Sequence, residues 1–250
     1  MFSRFFCRVG DVGRLDGTIL IVTSIFAHRG HHANFPENST AAIAAANDVG
    51  ADGVEFDVWL TSDKYLIVNH DRTMGGLSIP ATRRVDLARE GQITSLDDAM
   101  QAAGPLWINV EIKSTRSVPY NLAVAREVAA FLDASSVSAQ CLVSSFSLAV
   151  CDEVRRVSPE RRVGWLAERR PATFVLDQVM SHRLTSAHLA FSRVNVAVAH
   201  DARERGIELH VWTPNLARDI GLMLELGVGA VITDDVVLAR RLRDGLGPTE

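Results

Sequence analysis

A closed (β/α)₈ TIM barrel forming one α/β domain is the fold this sequence predicts, on three observations. Short β-rich runs alternate with longer helical patterns along most of the chain. Eight such runs fit within 250 residues, the usual size for that architecture. Neither G-x-G-x-x-G nor G-x-x-x-x-G-K-[ST] occurs, which removes the usual nucleotide-binding grounds for a doubly wound open sheet. The open sheet stays the competing fold at this point, because periodicity alone does not show closure.

The predicted strands are 25–29, 53–58, 106–113, 141–146, 162–166, 184–189, 208–214 and 230–234, with 66–70 a further strand-like run beside the second. Each is rich in Val, Ile, Leu or aromatic residues, as strands buried on both faces are. Between them apolar residues recur three and four apart. The segment 38–49 reads as a helix begun by Ser39-Thr40 and stopped by Gly50. In 120–132, Leu122, Ala125, Val128, Ala129 and Leu132 share one helical face. After Pro214, Asn215 is placed to cap a helix whose face is Leu216, Ile220, Met223 and Leu224 and which Gly227 ends. Residues 1–17 read as an irregular N-terminal extension, and 18–250 as the single domain.

The composition, 47% apolar and 22% charged, is that of an ordinary globular enzyme able to bury a core without disulfides. A net charge of −4 with both signs interspersed gives no field for nucleic acid, so an anionic substrate must be held by local charges. Cys7, Cys141 and Cys151 are scattered without a C-x-x-C pair and read as reduced packing residues of a cytoplasmic protein. The apolar run 19–27 is about half a membrane span and leads straight into His28-Arg29-Gly30, so it reads neither as an integral membrane segment nor as a signal peptide.

The chemistry-bearing residues gather at predicted strand ends. In Gly53-Val54-Glu55-Phe56-Asp57-Val58, Glu55 and Asp57 are two apart and point to one face of the strand. Two carboxylates side by side in an apolar strand repel and are desolvated; either the strand end is solvated, or a hard divalent cation with a preference for oxygen resolves both problems. Glu111, near the end of another apolar strand, supplies a third oxygen ligand and favours the cation. Asn109 and Lys113 share its face. His28 ends the first strand and His70 the run after the second, and imidazole can give or take a proton near neutral pH. Arg29 offers a planar fork to phosphate oxygens and Lys113 a point charge. His31, His32, His182, His188 and His200 read as packing or surface residues.

At these residues the sequence resembles the glycerophosphodiester phosphodiesterase family. The resemblance runs through Ala27-His28-Arg29-Gly30, Pro36-Glu37-Asn38-Ser39-Thr40, the block from Gly50 to Val58, Asn69-His70-Asp71, Val110-Glu111-Ile112-Lys113, Ser144-Ser145-Phe146, Val211-Trp212-Thr213 and Ile232-Thr233-Asp234, in family order from 27 to about 235. It implies a (β/α)₈ barrel that hydrolyses small-molecule glycerophosphodiesters to sn-glycerol 3-phosphate and an alcohol. Glu55, Asp57 and Glu111 would hold Mg²⁺ or Ca²⁺, His28 and His70 would act as general acid and base, and Arg29 and Lys113 would contact phosphate. Glu37 would orient Arg29 or approach the metal, unless it only favours the next helix start. Trp212 would wall the pocket, or be plain core. Asp234 could equally cap the last helix, and it is given no catalytic part.

The segment from Arg72 to Leu77 and the stretch Ile93-Thr94-Ser95-Leu96 depart from the family pattern and bear on the alcohol side. Forty residues separate His70 from Glu111, room for a modest cap. Two alternative functions remain at this stage. One is a lysophospholipase D-type hydrolase with Trp59, Phe146 and Trp165 lining an acyl groove, although core packing accounts for these aromatics equally well. The other is a catalytically silent barrel that binds phosphorylated ligands.

Overall fold

The computed structural model describes residues 12–15, 18–135 and 140–247, by backbone alone at 12–15 and 18–21. An antiparallel ribbon of β1 (Val12–Leu15) and β2 (Thr18–Ile21) comes first, so the boundary expected at 17/18 falls between two paired strands. Cys7 lies outside the described residues.

The barrel begins with β3 (Ser24–His28), followed by α1 (Thr40–Asp48) and β4 (Gly53–Leu60). Ser39 caps α1 by accepting from the Ala42 amide, and Gly50 follows at φ +70°. An excursion comes next: β5 (Leu66–Val68) returns antiparallel along β4, then β6 (Thr73–Met74) and β7 (Leu77–Ser78) make a small ribbon, α2 (Arg84–Leu87) follows, and β8 (Thr94–Ser95) pairs with β5. This is the modest cap that the spacing allowed.

Regular alternation resumes with α3 (Leu96–Ala103), β9 (Trp107–Ile112), α4 (Val118–Ala134), β10 (Cys141–Ser145), α5 (Leu148–Val157) and β11 (Arg162–Ala167). It continues with α6 (Ala172–Ser181), β12 (Ser186–Ala190), α7 (Val196–Glu204), β13 (Glu208–Trp212), α8 (Ala217–Glu225), β14 (Ala230–Thr233) and α9 (Val236–Arg243). Strands pair in the order β3-β14-β13-β12-β11-β10-β9-β4, all parallel, and β3 pairs with β4 as well. That last pairing closes the sheet and excludes the open alternative. Each of the eight predicted barrel runs became one of these strands.

Burial explains why. Every residue of β4 is buried, as is nearly all of β9, because the helices cover one face and the barrel interior fills the other. A fully buried Val, Ile or Phe contributes about 1.5–3 kcal/mol, and Val54, Phe56, Val58, Ile108 and Val110 are each at 0% exposure. Cys141 and Cys151 are buried among them. In α4, Ala125, Val128, Ala129 and Leu132 face the core as expected, but Val124 takes the place given to Leu122. The helix after Pro214 starts later than expected: Leu216, not Asn215, is its N-cap, and the Asn215 side chain is engaged elsewhere. No helix among the described residues is long and apolar enough to cross a membrane.

Candidate active site

The site lies at the C-terminal ends of β3, β4 and β9, where the strand register does most of the positioning. His28 is opposite Glu55, Glu55 opposite Asn109, and Asp57 opposite Glu111. Glu55, Asp57 and Glu111 are 3%, 1% and 8% exposed, and one oxygen from each lies within 4.8 Å of the others. The solvated-strand-end reading of the Glu55–Asp57 pair is thereby excluded.

Burying three acids demands compensation, and the chain supplies two cations. Lys113 Nζ bridges Asp57 Oδ1 at 2.7 Å and Glu111 Oε1 at 2.8 Å. Burial opposes its charge, but the two carboxylates outweigh burial and raise its pKa. Arg29 Nε approaches Asp57 Oδ2 at 3.4 Å, and its Nη1 donates to Glu37 Oε2 at 2.9 Å. Glu37 thus engages Arg29 directly. Compensation is incomplete. Burial, then Asp57 and Glu111, push the Glu55 carboxyl well above the usual range, against Lys113 and the Arg29 amide. Burial and Asp57 push Glu111 up to about 7. Glu55 Oε1 and Asn109 Oδ1 are buried with no hydrogen-bond partner. A cluster of hard oxygens short of positive charge, with an acceptor left over, is what a divalent cation fits.

The loop after β3 is built around this cluster. Arg29 has φ +55° and Gly30 φ +83°, and their turn aims the Arg29 amide at Glu55 Oε2, 3.0 Å away. A Cβ on Gly30 would stand 2.5 Å from the Ala42 carbonyl carbon, so glycine is required where the loop meets α1. Asn38, also left-handed at φ +60°, donates to Asp57 Oδ2 at 2.8 Å and accepts from the Asp57 amide at 3.2 Å. The Pro-Glu-Asn segment therefore orients Arg29 through Glu37 and Asp57 through Asn38. No role had been given to Asn38 from sequence; its signal was the polar side chain immediately before the Ser39 cap.

Both histidines reach a cavity of about 120 Å³ that Arg29, Glu55, Glu111 and Lys113 also line. His70 stands on the excursion just after β5, not on a barrel strand, with its carbonyl accepting from Trp59 Nε1 at 3.3 Å. Its Nδ1 is 2.9 Å from Asp71 Oδ1. Trp212 does wall the cavity, edge-on to Phe146 at 5.7 Å. Of the three aromatics considered for an acyl groove, only Phe146 lines it; Trp59 and Trp165 are buried, with their indole N–H groups on the backbone carbonyls of His70 and Phe146.

Two readings are corrected. Asp235 caps α9, accepting from the Leu238 amide, whereas Asp234 accepts from His28 Nδ1 at 2.7 Å. His32 is not a bystander either: its Nε2 is 3.2 Å from the same Asp234 oxygen.

The sequence model of the glycerophosphoryl diester phosphodiesterase family matches residues 28–90 and 79–238. The chain belongs to that family. It is accordingly a phosphoric diester hydrolase. It is 26% identical over 234 residues to the glycerophosphodiester phosphodiesterase of Caldanaerobacter subterraneus subsp. tengcongensis, covering 85% of this chain and 94% of that protein. A glycerophosphodiester phosphodiesterase structure from Parabacteroides distasonis superposes with a TM-score of 0.82 at 22% identity, over 90% of this chain and 98% of the other. An Oleispira antarctica phosphodiesterase, solved with its product sn-glycerol 3-phosphate, gives 0.80 at 20% identity, over 89% and 97%. These structures share the barrel. The family blocks quoted from the sequence fall on barrel strand ends or the loops that follow them, except the Gly50–Val58 block, which leads into β4 and covers most of it, and Asn69-His70-Asp71, which lies just after β5.

Proposed function

We propose that this family member hydrolyses glycerophosphodiesters to sn-glycerol 3-phosphate and an alcohol, using a divalent cation, Mg²⁺ or Ca²⁺, and a His28/His70 acid–base pair. One observation carries the reading: three buried carboxylates short of positive charge cluster together, and two of them, Glu55 and Glu111, line a small cavity with two imidazoles, an arginine and a lysine. Glu55, Asp57 and Glu111 would hold the cation, which supplies a Lewis acid for the phosphoryl oxygens.

The rest of the chemistry belongs to side chains. Arg29, braced by Glu37, and Lys113 bind phosphate oxygens and stabilise charge that builds on them in the transition state. One imidazole deprotonates the attacking hydroxyl, from water or from the substrate's own glycerol; the other protonates the departing alcohol oxygen. Trp212 and Phe146 shield one side from water.

The cavity holds about four waters' worth of volume, at roughly 30 Å³ each. That suits a glycerophosphate group, and with Trp59 and Trp165 buried the acyl-groove alternative has little to stand on. The buried thiols of Cys141 and Cys151 agree with a reducing, cytoplasmic setting.

The test compares release of glycerol 3-phosphate from glycerophosphocholine and glycerophosphoethanolamine with release of choline from lysophosphatidylcholine, whose other product is lysophosphatidate. Chelation should abolish turnover and added Mg²⁺ or Ca²⁺ restore it, with the first two substrates preferred. Turnover indifferent to EDTA would remove the cation, and preference for the lysolipid would overturn the substrate class.

A further inference from the structure

The chemistry above gives Asp234 no task, yet its carboxylate is tied at both oxygens. It follows β14, the strand beside β3 on the side away from β4. Oδ1 faces His28 Nδ1 at 2.7 Å and His32 Nε2 at 3.2 Å; Oδ2 accepts from Asn215 Nδ2 at 2.5 Å. Asn215 is fixed in turn, its Oδ1 accepting from the Asp234 amide at 3.0 Å and from Thr233 Oγ1 at 2.9 Å. This clamp spans the ends of β13, β14 and β3. A helix cap needs none of it, and the cap of α9 is Asp235.

The bonding decides where the proton sits. An ionised carboxylate can only accept, so the His28 nitrogen facing it carries the hydrogen. Burial works against the Asp234 charge, but the hydrogen bonds from His28, Asn215 and His32 hold the carboxyl well below the usual range. A neutral His28 ring then has Nδ1–H toward Asp234 and a bare Nε2 for the cavity that the ring lines. His70 has no comparable anchor: its partner Asp71 is the next residue along the chain, with a side chain 76% exposed.

Resting on the acid–base reading of His28, we propose that Asp234, clamped by Asn215, is a positioning residue that holds His28 in the Nδ1–H tautomer and aims Nε2 at the phosphodiester. Asp234 touches neither substrate nor cation in this assignment; it acts through the ring. The ring so held is the proton acceptor in the first half of the reaction, which leaves His70 to protonate the alcohol.

The experiment compares Asp234→Asn, Asn215→Ala, Asp235→Ala and His28→Ala with the parent protein, on glycerophosphocholine at saturating Mg²⁺. Long-range ¹H–¹⁵N NMR of the His28 ring gives the tautomer without reference to turnover. For Asp234→Asn, kcat should fall roughly hundredfold or more, KM should stay within about threefold, and the ring should shift away from Nδ1–H. Asn215→Ala, which leaves the carboxylate in place, should lower kcat about tenfold and give mixed tautomers, and it serves if Asp234→Asn fails to fold. Asp235→Ala should lose thermal stability with kcat and tautomer unchanged. If His28→Ala is inactive while Asp234→Asn and Asn215→Ala keep the parent kcat and ring signals, positioning by Asp234 is overturned and the acid–base reading survives. A His28→Ala variant with parental turnover overturns both.

Discussion

Replacing Glu111 by Gln should make the cation-free protein more stable while abolishing its turnover. Burial and the neighbouring Asp57 push the Glu111 carboxyl up to about 7, although Lys113 and Arg29 pull it down. In an unfolded chain a glutamate titrates near 4.3. The fold therefore holds this proton more tightly than the unfolded chain does. Its contribution is complete below about pH 4.3 and is lost as the pH rises through 7. At about 1.4 kcal/mol per pH unit, the charged carboxylate costs about 4 kcal/mol at pH 8. Gln has the same shape without the charge, and its amide oxygen can still accept from Lys113, but the ionic part of that 2.8 Å contact is lost while Lys113 keeps Asp57 at 2.7 Å. A net gain of about 1–3 kcal/mol, or roughly 2–10 °C in Tm for a chain of this size, is the expectation at pH 8 in EDTA. At pH 4 the parent residue is largely protonated whether folded or unfolded, and the gain should vanish. Thermal scans at both pH values, with and without Mg²⁺, decide the matter; the cation should raise the parent Tm and leave the variant's unchanged. A variant no more stable than the parent at pH 8, or equally stabilised at both pH values, would refute the reasoning.

His70→Ala should lose roughly two or more orders of magnitude in kcat with an unchanged Tm, since this imidazole is 37% exposed and serves chemistry more than packing; near-parental turnover would remove it from the mechanism. Gly30→Ala should cost about 2 kcal/mol or more, because the new Cβ meets backbone at 2.5 Å and φ is +83°, and it should also raise KM by disturbing Arg29; an unaltered thermal scan would contradict that account. Glu153, bonded by Arg156 and Arg126 against the penalty of burial, is pulled down to about 2. Because its folded pKa lies below the unfolded value, its contribution is whole above about pH 4.3 and lost as the pH falls toward 2. The Tm of the parent should therefore fall more steeply than that of Glu153→Gln between pH 5 and 2.5, and parallel slopes would count against the ion pair.

The barrel was legible because its strands are buried on both faces, which forces runs such as Gly53-Val54-Glu55-Phe56-Asp57-Val58 to be apolar except where chemistry interrupts them. The same interruption made Glu55, Asp57 and Glu111 conspicuous. What sequence could not show is register. Lys113 is visibly two residues from Glu111, but its bridge to Asp57 depends on β4 and β9 pairing Asp57 with Glu111. The Asn215–Asp234–His28 clamp was misread for a related reason: an Asn or Asp ahead of a helix looks the same whether it caps that helix or reaches across to a neighbouring strand. In the pair Asp234-Asp235 the second residue caps, which frees the first, and only the fold tells them apart. The contact of His32 with Asp234, and the choice between core and groove for Trp59 and Trp165, were not legible because one-dimensional spacing carries no depth.

The two imidazoles stand on different kinds of support. His28 is rooted in the closed ring, whereas His70 hangs on the detour between β4 and β9, whose later part, from Arg72 onward, also carries the departures from the family pattern. The carboxylates and Arg29 do not depend on that detour for their position. A lineage can therefore rewrite those intervening residues to suit a new leaving alcohol while the phosphate-handling platform stays as it is. Diversification of headgroup choice in such enzymes should concentrate there and spare the ring.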